Sequence, residues 1–317
     1  MSLLQYGIGV DLGGTTVKTG IVSSDGKIHS QTVLPSLADQ GPKTVIAQIK
    51  TAIHDTLKIV DGKTITGIGI GAPGVVEKEK GVVKNPPNFP GWNEVALGEE
   101  IHDSFGVNVE VENDANAAAI AEAKFGAGKN YPNFLFVIWG TGVGGGIISN
   151  GKIYRGPSGG AGEIGHISIN FDGPRCNCGA KGCVEVYVGQ RHLSMLAAQR
   201  VAGNPRSKIL EFCGGDLSTI EPLHISQAAD AGDALAQDIL VKAGKHLGIA
   251  IAAVMHTLDF RVSIIGGGIS AAGKYVFDAV TESVKSHVLA PMRKDILVVP
   301  AVLRNSAGIL GAAGLVL

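Results

Sequence analysis

The sequence predicts an α/β protein of two lobes, and three observations carry that expectation. Segments with strand character alternate with helical ones along the chain. A hairpin pattern that opens the sequence returns near its middle. At 317 residues the chain also exceeds the size at which one hydrophobic core usually stops growing.

The elements follow in order. "YGIGVDL" is apolar and β-branched, "GGTT" breaks it, "VKTGIVSS" resumes it, and "DGK" signals a hairpin before "IHSQTVL". In "KTVIAQIKTAIHDTLKIV", Ile46, Ile49, Ile53, Leu57 and Val60 recur at helical spacing. "ITGIGIGAPGVV" reads as a buried strand entering a Gly/Pro-rich loop, and "VNVEVEN" as another strand. A helix over "DANAAAIAEAKFGAG" takes Asn113 or Asp114 as its cap and Gly126 or Gly128 as its stop. Then "FVIWGTGVGGGIISNGKI" (Phe136 to Ile153) repeats the plan of "IGVDLGGTTVKTGIVSSDGKI" (Ile8 to Ile28): strand, Gly-Thr turn, strand with a G-I-[VI] step, and a Ser-rich [DN]-G-K-I hairpin. Long helices follow, among them "ALAQDILVKAGKHLGIAIAAVMHTLD", whose apolar "LGIAIAAVM" reads as buried. The strand "RVSIIGGG" then leads to the helix "AAGKYVFDAVTESVKSHV", and the chain ends on "NSAGILGAAGLVL", a small-residue helix suited to close packing. Residues 1–117 with the C-terminal helix (about 304–317) are expected to form the smaller lobe, and 118–303 the larger.

Composition narrows the function. The net charge of −1 and the lack of a basic cluster give no electrostatic reason to expect nucleic acid or an anionic membrane as partner. The opening "MSLLQYGIGVD" lacks the charged start of a signal peptide, so the cytoplasm is the expected address. Glycine, at 46 residues, is about twice its usual share of roughly 7% and punctuates apolar runs, which implies tight turns and close backbone approaches.

Two Gly-Thr turns at corresponding points of two lobes suggest a nucleotide clamp. Gly13, Gly14, Thr15 and Thr16 form one, and Thr141 and Gly142 the other. Glycine lets backbone approach an anion, and N–H groups and Thr hydroxyls donate to phosphate oxygens. Asp11, ending the first strand just before this loop, could hold Mg²⁺. No Walker A loop and no protein-kinase H-R-D or D-F-G element is present. "GGGISA", containing Gly267 and Gly268, fits a loose dinucleotide pattern, which alone is weak.

In "CNCGAKGCVE", Cys176, Cys178 and Cys183 lie among glycines, with His166 ten residues upstream of the first. Three thiolates and one imidazole complete a tetrahedral Zn²⁺ site, whereas a disulfide would strand the third thiol. Cys213 has no partner motif and reads as an ordinary core cysteine. Asp114, at a strand end where a helix begins, could cap that helix, or accept a hydroxyl proton as a phosphoryl group moves. Asn88, Asn113, Glu163, His166 and Glu185 are further polar candidates, able to donate or accept hydrogen bonds, although Glu163 and Glu185 taken alone read most simply as solvated loop carboxylates. Trp92 reads as a packing residue rather than a pocket wall.

Taken in order, "DLGGTTVKTGIV", "GTGVGGGII", "CNCGAKGCVE" and "GGGIS" resemble the ROK family of sugar kinases and sugar-responsive repressors, over nearly the whole chain. The resemblance implies the two-lobed actin-like (sugar kinase/Hsp70, ribonuclease H-like) α/β fold with its duplicated β-hairpin unit. It implies ATP-dependent phosphorylation of a hexose at its 6-hydroxyl, glucose before N-acetylmannosamine, N-acetylglucosamine, fructose or allose. Asp114 would be the general base. Asn88, Asn113, Glu163, His166 and Glu185 would bind the sugar, the glycine loops ATP and Mg²⁺, and Zn²⁺ would be structural. A homodimer or higher homo-oligomer is common in that family. Its repressors place a helix-turn-helix domain before the "DLGGT" strand; ten residues precede Asp11 here, which favours the kinase reading.

Overall fold

The computed structural model describes residues 4–58 and 64–317. In chain order the strands and α-helices are β1 (Tyr6–Leu12), β2 (Thr16–Ser23), β3 (Ile28–Pro35), α1 (Pro42–Leu57), β4 (Ile65–Ala72), β5 (Val75–Glu77), β6 (Val82–Lys84), β7 (Glu94–Val95), α2 (Leu97–Phe105), β8 (Val109–Asn113), α3 (Asp114–Phe125), β9 (Phe134–Trp139), β10 (Val143–Ser149) and β11 (Lys152–Tyr154). They continue with α4 (Glu185–Val188), α5 (Gln190–Ala202), α6 (Lys208–Phe212), α7 (Pro222–Asp230), α8 (Ala234–Leu258), β12 (Val262–Gly266), α9 (Lys274–His287), β13 (Leu297–Pro300) and α10 (Ala307–Ala313).

The two five-stranded sheets repeat one plan. The first has the order β3-β2-β1-β4-β8 and the second β11-β10-β9-β12-β13. In each, the first strand of a hairpin has its two successors on one side and two parallel strands on the other. The hairpin repeat read from the sequence is thus a repeat of whole sheets. The second hairpin closes on Asn150 and Gly151, both at positive φ (50° and 74°), as a type I′ turn requires.

The chain divides into two compact units. Residues 1–132, 146–162 and 302–317 form one, and 133–145 and 163–301 the other. The boundary expected at 117/118 falls inside α3, which belongs whole to the first unit, and the stretch 146–162 belongs there too.

The first unit packs Ile49 and Ile53 of α1 and Ile8, Val10, Ile70 and Val111 of the sheet into one core. Helix α1 ends at Leu57, and Val60 lies outside the described residues. The small residues of α10 let it lie directly on the sheet: a Cβ at Gly9 or Gly69 would strike its backbone at Ile309 or Ala312. Trp92 is buried edge-on against Phe89, a packing residue as expected. In the second unit α8 has the length and apolar composition of a membrane span, but buries Leu247, Ile251 and Met255 in the core. Cys213 is buried, and its thiol donates to the Leu210 carbonyl at 3.4 Å.

Candidate active site

In the first unit the chemistry gathers at the carboxyl ends of parallel strands, where α/β sheets commonly bind ligands. Register puts Asp11 beside Gly71, and Ala72 beside Asn113, so Asp11 and Asn113 end β1 and β8 on either side of β4. The loop after β1 closes with Gly13 N–H on the Thr16 carbonyl (2.9 Å). The carbonyls of Gly14 and Thr15 are both taken by buried Ser36, through its hydroxyl (2.8 Å) and its N–H (2.9 Å). What the exposed loop retains for a ligand is therefore donor capacity, from N–H groups and Thr hydroxyls, as a phosphate cradle needs. Asn88, in left-handed backbone (φ 67°), packs beside Gly14. Burial pushes the Asp11 carboxyl above the usual range, and Lys18, across the β1–β2 register at 3.5 Å, only partly offsets it. A cation at this carboxylate would relieve that cost, so Asp11 fits the Mg²⁺ role.

At α3 the structure separates two readings that the sequence left joined. The cap is Asn113: its Oδ1 accepts the N–H groups of Ala115 (3.0 Å) and Asn116 (3.2 Å), and its amide donates to the Gly74 carbonyl (3.0 Å). Asp114 is the first helical residue and is exposed, with Oδ1 accepting its neighbour Ala115 N–H (2.8 Å). A helix N-terminus favours the ionised carboxylate. Beneath it lies Glu112, 2% exposed, whose Oε1 accepts from Asn113 N–H and Asn116 Nδ2 (both 3.0 Å) and whose Oε2 accepts from Arg155 Nε (2.7 Å). Glu112 could have been noticed beside Asn113; nothing in the sequence pointed to Arg155.

In the second unit the turn between β9 and β10 is held from several sides. Gln190 N–H donates to the Gly140 carbonyl (3.1 Å), and Trp139 Nε1 to the Val188 carbonyl (2.8 Å). Gly267 lies against the Trp139 backbone with no room for a side chain, while Gly268 faces open space. Thr141, Gly142, Gly267 and Gly268 therefore share one neighbourhood. A cavity of about 320 Å³ beside it is lined by Thr141, Gln190, Arg191, Ser194, Thr219 and Glu221; apart from Thr141, these residues had not been singled out from the sequence.

The cysteine-rich loop docks on the same turn. Glu163 is exposed just before the short helical turn Ile164–His166, and Gly165 within that turn sits directly on the Val143 carbonyl. From the far end of the loop, Glu185 at the start of α4 accepts the Val143 N–H (3.0 Å). Within the loop, Cys176 Sγ lies 3.7 Å from His166 Nδ1, Cys178 Sγ lies 3.6 Å from Cys183 Sγ, and all four ligand atoms lie within 4.8 Å of one another. With Zn–S about 2.3 Å, the edge of a ligand tetrahedron is about 3.8 Å, so the donor set and spacing fit Zn²⁺. Gly182 makes the sharp fold possible: it takes φ 68°, and a side chain there would collide with the Asn170 carbonyl. Nδ1 is the His166 nitrogen that faces the Cys176 thiol. Of the six residues expected to meet a sugar, Asn88, Asn113 and Asp114 thus belong to the first unit and Glu163, His166 and Glu185 to the second.

The two sheets of one topology are those of the actin-like two-domain fold, which the chain shares with solved ROK sugar kinases. The chain belongs to the ROK family, whose profile matches residues 7–317. It is 36% identical over 309 residues to a glucokinase of Thermotoga maritima, covering 98% of this chain and 96% of that one. A xylose repressor of Bacillus subtilis is 32% identical over 253 residues, 80% of this chain and 61% of the repressor. Among solved structures, the ROK glucokinase of Streptomyces griseus in complex with glucose and AMPPNP superposes with a TM-score of 0.84 at 35% identity, covering 98% of both chains.

Proposed function

We propose that this protein is an ATP-dependent sugar kinase that converts glucose to glucose 6-phosphate. The observation that carries this reading is the end-to-end match, in sequence and fold, to a glucokinase solved with glucose and an ATP analogue. Asp114 takes the proton of the 6-hydroxyl as it attacks the terminal phosphate, and the N-terminus of α3 keeps its carboxylate ionised for that task. Asn88, Asn113, Glu163, His166 and Glu185 are the residues that pair with sugar hydroxyls. The donors of residues 13–16 and of Thr141 and Gly142 hold the phosphates. The nucleoside occupies the cavity beside Thr141, near Gly267 and Gly268. When bound at Asp11, Mg²⁺ supplies charge neutralisation for the phosphates. Zn²⁺ held by His166, Cys176, Cys178 and Cys183 is structural, bracing a loop that carries Glu163 and His166 before it and Glu185 after it.

A coupled ADP-release assay across hexoses and N-acetylhexosamines tests the reading. Glucose is expected to give the highest kcat/KM. ATP turnover indifferent to every added sugar would reject a sugar kinase, and a preference for an N-acetylhexosamine would reassign the substrate.

A further inference from the structure

We propose that Arg155 is a positioning residue for phosphoryl transfer, acting on Asp114 through the buried carboxylate of Glu112; this rests on Asp114 being the base. Glu112 precedes the Asn113–Asp114 pair, and each of its oxygens has a distinct task. Oε1 receives the Asn113 N–H and the Asn116 side-chain amide, the two groups that bracket Asp114 in the first turn of α3, both at 3.0 Å. It can take both donors in only a narrow range of orientations. Oε2 is held by Arg155 Nε at 2.7 Å, which fixes that orientation from the other end. Among the described residues Arg155 is the one cation paired with Glu112, a carboxylate whose side chain is 3% exposed.

Arg155 is itself anchored. It directly follows β11, and its carbonyl accepts the Ala161 N–H (3.0 Å), closing the loop that runs on to Glu163. One residue therefore fixes both the first turn of the base's helix and the loop leading to an expected sugar ligand. A planar guanidinium held by its own backbone suits orientation better than a flexible ammonium would. General-base catalysis is steeply sensitive to placement: about 1 Å of displacement can cost on the order of 100-fold in rate.

The test compares Arg155→Met, Arg155→Lys, the double variant Glu112→Gln/Arg155→Met, and Asp114→Asn by thermal stability, kcat, and KM for ATP. Arg155→Met leaves a buried carboxylate unpaired, so both its Tm and its kcat are expected to fall. The double variant has no charge to compensate, so its Tm is expected to recover while its kcat stays at least about tenfold low, with KM for ATP within about twofold of wild type. Recovery of both Tm and kcat in the double variant would mean the pair serves stability alone and would overturn the proposal. If the Met-bearing proteins fail to fold, Arg155→Lys decides. It keeps the charge but replaces the fixed guanidinium donor by a flexible one, so about a tenfold loss of kcat supports the proposal and wild-type kcat overturns it. Full activity of Asp114→Asn would instead remove the base itself, a result separable from any outcome at Arg155.

Discussion

The Glu185 carboxylate accepts the backbone N–H of Val143 at 3.0 Å, in the place where a side chain on Gly142 would have to go. A residue of the cysteine-rich motif is thereby built into the wall of the second Gly-Thr turn. Gly165, from the other end of the loop, packs on the carbonyl of the same Val143. The loop expected to carry sugar ligands and the turn expected to carry phosphates are thus one packed assembly within the second unit.

Gly142→Ala is the direct probe of that assembly. Its methyl group would overlap the Glu185 carboxylate, so either the turn or the carboxylate must shift. Because both ends are expected to meet substrate, KM for glucose and KM for ATP should rise together, with kcat/KM down about tenfold or more. A rise confined to ATP would show that Glu185 and the turn act independently.

Metal removal should weaken sugar binding as well as stability. His166 turns Nδ1 toward the Cys176 thiol, and a metal-bound imidazole keeps a fixed tautomer with its other nitrogen protonated. Chelation or Cys178→Ser is therefore expected to lower Tm and raise KM for glucose severalfold; metal loss with unchanged KM would refute the coupling. Without metal, burial and the neighbouring thiols push Cys183 up to about 12. Since only the thiolate binds metal, uptake must release protons, and affinity should fall as pH falls. Titration calorimetry in buffers of different ionisation enthalpy measures that release directly.

Asp233 offers a stability test remote from the chemistry. It caps α8, its Oδ1 accepting the N–H groups of Leu235 (2.8 Å) and Ala236 (3.1 Å) and its Oδ2 the Ser207 hydroxyl (2.6 Å) and Lys208 N–H (2.5 Å). Burial raises its pKa, but these hydrogen bonds outweigh it, and the net shift is downward. A carboxylate depressed in the folded state contributes stability above its unfolded value of about 3.9, and loses it as pH falls through the folded value. Asp233→Ala should cost at least about 1–2 kcal/mol at neutral pH in urea unfolding, and the gap from wild type should narrow in acid. A gap that stayed constant down to the acid transition would contradict the assignment.

The sequence made some of this legible and hid the rest for identifiable reasons. The paired hairpins and the Cys₃His cluster could be read because their information is local: turn residues at fixed offsets, and ligands spaced within one loop. The cap at α3 was legible only as a choice between neighbours, since Asn113 and Asp114 both suit a helix N-terminus, and backbone geometry decided for Asn113. The Arg155–Glu112 and Glu185–Val143 contacts join residues 43 and 42 positions apart, and no local pattern marks such pairs. The unit boundary was misplaced because the small residues of α3 gave no sign that α10 packs against that helix; Gly311 lies on the Ala117 carbonyl.

The most direct measurement is the turnover of Asp114→Asn with saturating glucose and ATP, alongside glucose binding measured without turnover. Asparagine keeps the size of the side chain but cannot take the hydroxyl proton. The predicted result is a kcat lower by at least the roughly 10²–10⁴-fold typical of a lost general base, with glucose still bound. A kcat close to that of the unaltered enzyme would contradict it.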